Sequence, residues 1–218
     1  MNTAKILIVD DHPLVRAGLV ARISSQPGLE VCGEAADADE ALAMLDSSRP
    51  ELMIVDLTLK QGHGLDLIRK ARQHSPETRM LVLSAHDEAL YAERALRVGA
   101  SGYVNKQEAQ EKVLDAISAV LRGERFISEE LTRKLVGKAV VGNGGRATGV
   151  EALSDRELQV FELIGRGKNT RAIAEELHLS VHTIETHREN IRAKLGVRNG
   201  TELVRYAVQW VLESRSGW

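Results

Sequence analysis

The feature that most constrains this chain is a repeat of short apolar runs and longer amphipathic stretches over residues 1–122. The apolar runs lie at 5–10, 29–34, 52–56, 80–84 and 102–105. They are rich in Val, Ile and Leu and do not alternate cleanly with polar residues, the pattern of strands covered on both faces. Helical periodicity fills the gaps, near 13–25, 38–47, 64–74, 87–98 and 108–122. Pro13 suits a first helical turn, where its missing N–H costs nothing. Five β/α units of this length predict an α/β fold built on a doubly wound, five-stranded parallel sheet.

The chain has 218 residues, enough for a second domain. A further helical stretch at 128–139 is followed by a glycine-dense run at 140–149 that lacks apolar periodicity and reads as a flexible linker. Ser154 and Glu157 then have capping-box spacing, which starts a helix ending near Gly165. A short helix at 170–177, a tight turn at His178, Leu179 and Ser180, a longer helix at 181–195 and a last helix at 200–212 follow. A short helix, a tight turn and a longer helix is the helix-turn-helix arrangement. The expected organisation is a first domain over 1–125, a linker helix and Gly-rich linker over 126–149, and an all-α four-helix domain over 150–218.

Charge and cysteine content narrow the class. Formal net charge is −2, so the chain as a whole is not a basic nucleic-acid binder. Residues 165–198 are locally basic: Arg166, Lys168, Arg171, Arg188, Arg192, Lys194 and Arg198 stand against Glu175, Glu176, Glu185 and Glu189. That patch is compatible with a DNA backbone and equally with a solvated helical face. No apolar run approaches the roughly 20 residues that a membrane span needs. The start of the chain reads as a strand and not as a secretory signal. The single cysteine, Cys32, rules out a disulfide framework and reads as a small core residue. A cytoplasmic protein without a membrane partner is expected.

The chemistry sits at predicted strand ends. Asp10 and Asp11 close the first strand, Asp56 the third and Ser84 the fourth, and Lys106 follows the fifth. In a parallel α/β sheet the carboxyl ends of the strands converge on one edge, where ligands bind at the topological switch point. Taken singly, a strand-end Asp is a turn residue or a cap, Ser84 a cap and Lys106 a surface lysine. Taken together they make an acid pair, a lone carboxylate, a hydroxyl and an ammonium on one edge. Three converging carboxylates call for a hard divalent cation such as Mg2+, and the set suits phosphoryl transfer to a carboxylate nucleophile.

Those residues carry a family resemblance. Residues 5–122, with Ile6, Leu7, Ile8, Val9, Asp10 and Asp11, then Asp56, Ser84 and the run Gly102, Tyr103, Val104, Asn105 and Lys106, resemble the flavodoxin-like receiver domain of bacterial two-component response regulators. The resemblance implies that Asp56 is the phosphoacceptor. It implies that Asp10, Asp11, Asp56 and the backbone carbonyl of Thr58 hold Mg2+. Lys106 would pair with the phosphoryl oxygens, Ser84 would move to bond one, and Tyr103 would be the aromatic switch. The run after Asp56 departs from the family. Lys60 stands where many receivers have proline, while Gly64 is kept. A more flexible loop around an intact site is expected, with His63 at solvent.

Residues 150–213 resemble the NarL/LuxR-type output domain through Leu153 to Glu157, Lys168 to Ala174, Leu179 to Ile184, His187, and Lys194 to Val197. That resemblance puts helix 181–195 in the major groove, with Glu185, Thr186 and Glu189 where base contacts are usually made. Lysine is common at the first of these; glutamate here can accept from cytosine N4 but repels phosphate. Either the operator preference differs, or Thr186, Arg188 and His187 carry specificity. Thr183, Arg192, Lys194 and Arg198 suit phosphate contacts, which position without specifying. One such domain has a small footprint, so a homodimer on paired half-sites is expected. Leu203, Val204, Ala207, Val208 and Val211 of the last helix offer an apolar stripe for pairing or for packing on their own domain.

The resulting expectation is a regulator and not an enzyme: a sensor histidine kinase phosphorylates Asp56, and this controls sequence-specific binding to double-stranded promoter DNA and hence transcription. The alternatives are a DNA-binding regulator that works without phosphorylation, and a Mg2+-dependent phosphohydrolase with Asp56 as nucleophile. The first domain has no insertion to form a substrate cap for the latter.

Overall fold

The structure, a computed structural model, describes residues 3–59, 63–86, 88–141 and 149–215. The Lys60 position and most of the expected Gly-rich linker lie outside the described residues. The chain divides into two compact units, 1–141 and 142–218.

The first unit alternates strands and helices as the apolar pattern requires: β1 (Ala4–Val9), α1 (Pro13–Ser24), β2 (Leu29–Ala35), α2 (Ala38–Ser48), β3 (Leu52–Val55), α3 (Gly64–His74), β4 (Arg79–Ser84), α4 (Glu88–Val98), β5 (Gly102–Asn105), α5 (Ala109–Leu121) and α6 (Glu129–Val141). All five strands are parallel, in the order β2-β1-β3-β4-β5. The direction of chain progression reverses between β1 and β3, which makes that crevice the switch point of a flavodoxin-like sheet. Ile6 to Val9, Leu52 to Val55 and Met80 to Leu83 are sealed from solvent, because helices cover both faces of the three central strands. Ile6, Ile8, Leu52, Ile54, Leu81 and Leu83 share one core with Leu19 and Ile23 of α1 and Val113 and Ile117 of α5.

Two sequence expectations are corrected here. Cys32 is not a core residue but half-buried on β2, because β2 is an edge strand. His63 is not at solvent but buried: it is the N-cap of α3, and its Nδ1 accepts the Leu65 amide at 3.1 Å. A cap side chain turns back onto its own helix, so polarity of the loop did not predict exposure. The helix at 128–139, expected between the domains, is α6 and packs on α4, with Leu131 buried.

The described part of the second unit starts with a 3-10 turn at Gly149–Ala152, followed by α7 (Asp155–Gly165), α8 (Thr170–Glu176), α9 (Val181–Leu195) and α10 (Gly200–Arg215). Ser154 and Glu157 form the reciprocal capping box of α7. Asn169 and Ser180 cap α8 and α9 through the Ala172 and Thr183 amides. His178, at φ 51°, makes the left-handed residue of the turn between α8 and α9. Phe161, fully buried, meets Tyr206 edge-on at 5.8 Å and Trp210 at 5.6 Å. Both tryptophans of the chain belong to this unit, so their fluorescence reports on it alone. Phe161→Ala is expected to cost about 3–5 kcal/mol. A denaturation midpoint of tryptophan fluorescence equal to that of the unchanged protein would exclude this packing.

Candidate functional site

The carboxyl edge of the sheet gathers the predicted residues. Asp10 follows β1 and Asp56 follows β3, and both are buried. The parallel ladder extends past the strands to hold them: the Asp56 amide donates to Val9 O at 2.8 Å, the Asp10 amide to Ala35 O at 3.1 Å and the Lys106 amide to Ser84 O at 2.8 Å. Lys106 Nζ stands 2.6 Å from Asp56 Oδ2 and 2.7 Å from Asp10 Oδ2. Thr58 lies against the same carboxylate through its amide, which donates to Asp56 Oδ1 at 3.3 Å. Gly64 sits tightly beneath this turn. Its amide donates to Leu57 O at 3.0 Å, and a methyl there would overlap Asp56 O and stand 2.7 Å from Leu57 Cα.

Charge is not balanced at this edge. Asp10, Asp11, His12 and Asp56 offer ligand atoms that all lie within 4.8 Å of one another. Lys106 is the ammonium placed between two of the carboxylates. Asp10 Oδ2 and Asp11 Oδ1 are buried and receive no well-aligned hydrogen bond, although Lys106 Nζ and His12 Nδ1 approach them to 2.7 Å each. Ligand atoms of three carboxylates and a histidine gathered this closely fit a cation-binding cluster. Burial pushes the Asp56 carboxyl above its ordinary value, against the pull of Lys106. Burial works to lower Lys106, but Asp56 and Asp10 outweigh it and hold the ammonium charged.

Ser84, fully buried, accepts the His86 amide at 3.2 Å. Tyr103 is buried and donates its hydroxyl to His86 O at 2.8 Å. His86 Nε2 meets Thr58 Oγ1 at 2.9 Å, and its ring stacks on Tyr91 at 4.4 Å. Sequence reasoning missed His86, since nothing in the chain pairs it with a threonine 28 residues away. It also missed His12 and Arg16. His12 adjoins the acid pair and was legible for that reason. Arg16, whose Nη1 donates to Asp10 O at 2.6 Å, lies one helical turn further on.

The residues predicted to contact DNA separate into groups on α9 and beyond. Glu185, Thr186 and Glu189 are exposed; Thr183, His187, Arg188 and Arg192 are half-buried; Lys194 and Arg198 are exposed. Glu185 Oε1 accepts the Thr170 hydroxyl at 2.8 Å, and its other oxygen stands 3.7 Å from Arg188 Nε. The hydroxyl of Thr186 donates to His182 O and that of Thr183 meets Ser180 Oγ. His187 faces inward: its Nδ1 is sealed from solvent, and its charged neighbours are Arg156 and Glu157 of α7. Burial, with Arg156 adding to it, lowers the His187 imidazole. Lys194 Nζ donates to buried Glu157 Oε2 at 2.5 Å, the same oxygen that accepts the Ser154 amide at 2.7 Å. The apolar stripe of α10 divides: Leu203, Ala207 and Val211 pack inside the unit, Val208 is half-buried and Val204 is exposed, as is Leu212 further along the helix.

Burial alone would raise Glu157, but Lys194 and the bonds to Ser154 outweigh it and hold the carboxyl below the usual range. Its folded-state value therefore lies below its unfolded one of about 4.3. The stabilisation is full above that pH and lost as pH falls through the folded value. Lys194→Met is expected to cost about 1 kcal/mol, the small figure reflecting a half-exposed partner. It is also expected to move the acid-unfolding midpoint of tryptophan fluorescence to higher pH; an unmoved midpoint would show that the pair contributes nothing.

Comparison with known proteins agrees with this geometry. The chain belongs to the response regulators: residues 6–118 match the response regulator receiver domain, and residues 151–207 match the bacterial regulatory proteins of the luxR family. Among its relatives is the oxygen regulatory protein NreC of Staphylococcus carnosus, 36% identical over 210 residues that cover 94% of this chain and 97% of that one. NreC of Staphylococcus aureus is 37% identical over 211 residues, with the same coverage. RcsB from Salmonella enterica serovar Typhimurium, in a structure bound to promoter rprA in the presence of the phosphomimetic BeF3-, aligns with a TM-score of 0.67 and 28% identity over 95% of this chain and 99% of that one.

Proposed function

We propose that this response regulator accepts a phosphoryl group on Asp56 from a sensor histidine kinase, and that its luxR-type unit then binds double-stranded promoter DNA as a homodimer to control transcription. One observation carries the reading. Lys106 Nζ stands 2.6 Å from Asp56 Oδ2 and 2.7 Å from Asp10 Oδ2, on the edge that also holds buried Ser84. A carboxylate so placed is a nucleophile with its stabilising cation already aligned. An Asp56 oxygen forms a bond to phosphorus as the donor's P–N bond breaks, and the leaving imidazole nitrogen takes a proton. Lys106 then faces the transferred group, and Ser84 Oγ is free to donate to one of its oxygens once it turns.

Asp10, Asp11, Asp56 and the Thr58 carbonyl would hold Mg2+; the convergence of the three carboxylates within 4.8 Å of one another supports this donor set. The cation would neutralise charge on the transferring phosphoryl group. In the second unit, exposed Glu185, Thr186 and Glu189 on α9 are the proposed base-reading positions, and Thr183, Arg188, Arg192 and Arg198 the ones nearest phosphate. His187 and Lys194 are drawn into their own unit and would act by holding α9 in place. The exposed Val204 and Leu212 of α10 suit pairing with a second copy. The domain division follows: a phosphoacceptor unit, a connecting segment, and a DNA-binding unit, working together in the cytoplasm. Relatives named as regulators, and RcsB solved on promoter DNA, support the same reading.

The full chain treated with Mg2+ and a small acyl phosphate is expected to gain one phosphoryl group by mass and to bind selected promoter fragments more tightly. Asp56→Asn is expected to lose both responses. Donor-dependent DNA binding by Asp56→Asn would refute the assignment. Mg2+ at about a hundred times its Kd is expected to stabilise the first unit by about 2.7 kcal/mol. Asp11→Asn is expected to abolish most of that gain in circular-dichroism melts, and an equal gain in the variant would remove the acid pair from the metal site.

A further inference from the structure

Within the helix-turn-helix, one side-chain contact joins α8 to the outward face of α9. Thr170 opens α8, and its hydroxyl donates to Glu185 Oε1 at 2.8 Å across 15 residues of chain. Glu185 is the fifth residue of α9. Its other oxygen, Oε2, lies 3.7 Å from Arg188 Nε, one turn further along the same helix. The Arg188 side chain is largely covered, and its Nη2 would stand 3.9 Å from a Cβ on Gly200, at the start of α10. The Glu185 side chain is nevertheless 52% exposed. It is tied on two sides and open on the third.

A glutamate on a helix surface normally samples many rotamers, and fixing it when a ligand binds costs entropy. Thr170 and Arg188 fix this one in advance. An ionised carboxylate only accepts hydrogen bonds and has room for about four of them. Thr170 takes one, and at 3.7 Å Arg188 supplies charge and not a hydrogen bond. Among the described residues nothing takes the lone pairs that remain. We infer that Glu185, braced by Thr170, is a specificity-determining residue of α9, and that it selects cytosine. The inference rests on the reading of α9 as the helix that enters the major groove, where residues of its N-terminal half meet base edges. There guanine presents N7 and O6 and thymine presents O4, all acceptors that repel a carboxylate. Only cytosine N4 and adenine N6 offer a donor. Adenine sets the acceptor N7 beside N6, so a carboxylate that reaches N6 also meets N7. Cytosine offers N4 without an acceptor of its own beside it. Thr170 is a positioning residue: it acts by aiming the carboxylate and touches no base. Arg188 offsets part of the negative charge that the phosphate backbone would repel.

Selection from random double-stranded DNA tests this, with the full chain treated with Mg2+ and a small acyl phosphate. Titration then compares the selected site with its single base-pair variants. The unchanged chain is expected to prefer cytosine at one position of each half-site, about tenfold over the other bases. Glu185→Ala is expected to lose the preference at that position alone. Glu185→Gln is expected to move it to adenine, because an amide carries both the acceptor for N6 and the donor for N7. Thr170→Val is expected to leave about threefold, since the carboxylate stays but is no longer aimed. Thr170→Ser, which keeps the hydroxyl, is expected to keep the full ratio. The same preference at every position in Glu185→Ala would overturn the inference, as would the loss there of a preference for any base other than cytosine. If Thr170→Val weakened binding to every base variant by one common factor, Thr170 would only tie α8 to α9 and its positioning role would be overturned. No enrichment of any sequence by the unchanged chain would instead remove the reading of this unit as a DNA binder.

Discussion

Lys106 sets its ammonium between two buried carboxylates, and the functional edge of the first unit depends on it. Without its ammonium, Asp10 and Asp56 would face each other inside the protein, held among the described residues by the Thr58 amide and by the His12 amide and ring. Uncompensated buried charge costs several kcal/mol per ion, so the position of this one side chain permits the acids to be there at all. Its placement is a matter of topology. The lysine follows β5, two strands away from β3, and its long stem crosses β4 to reach the switch point between β1 and β3. Against Asp10, Asp11 and Asp56 the edge sets the Lys106 ammonium, with the Arg16 guanidinium bonded to the Asp10 carbonyl.

The second unit uses the same physics for a different end. Glu157 is buried at the start of α7, where it completes a capping box and takes the ammonium of Lys194 from the last turn of α9. That contact ties the last turn of α9 to the start of α7, beside the buried Phe161, Ile184 and Ile191. His187 adds a neutral ring to the same interior. Among the residues α9 exposes are Glu185, Thr186 and Glu189, and the two glutamates make that part of its surface acidic. Glu185 is already occupied by Thr170 and Arg188.

Much of this was legible in the chain. Strand and helix bounds in both units follow the apolar periodicity to within a few residues, because each element buries one side chain pattern and little else decides it. The five site residues of the first unit were legible because their spacing relative to strand ends is local information. The misreadings share one cause. Cys32 was taken for core because its run is apolar, yet its strand is an edge. His63 was taken for a loop residue at solvent, yet it caps α3 with its own ring. The α7 partners of His187 and Lys194, 31 and 37 residues earlier, were likewise not legible from position along α9. Local pattern says which face a residue occupies on its own element; it does not say what another element brings to that face.

By itself the sequence determined the element types, the parallel sheet, the helix-turn-helix and the identity of the acid pair, the lone aspartate, the hydroxyl and the lysine. These rest on periodicity, caps and strand ends, which act over a few residues. Tertiary structure alone decided that Lys106 spans Asp10 and Asp56, that His86 joins Thr58, Ser84, Tyr91 and Tyr103, and that Glu88 holds Ser128 against α4. Each of those contacts joins groups that meet only after the sheet has set strand order and the helices have packed. The physical reason is range: hydrogen bonds and ion pairs act within a few ångströms, and no local rule predicts which distant side chains the fold will bring that close.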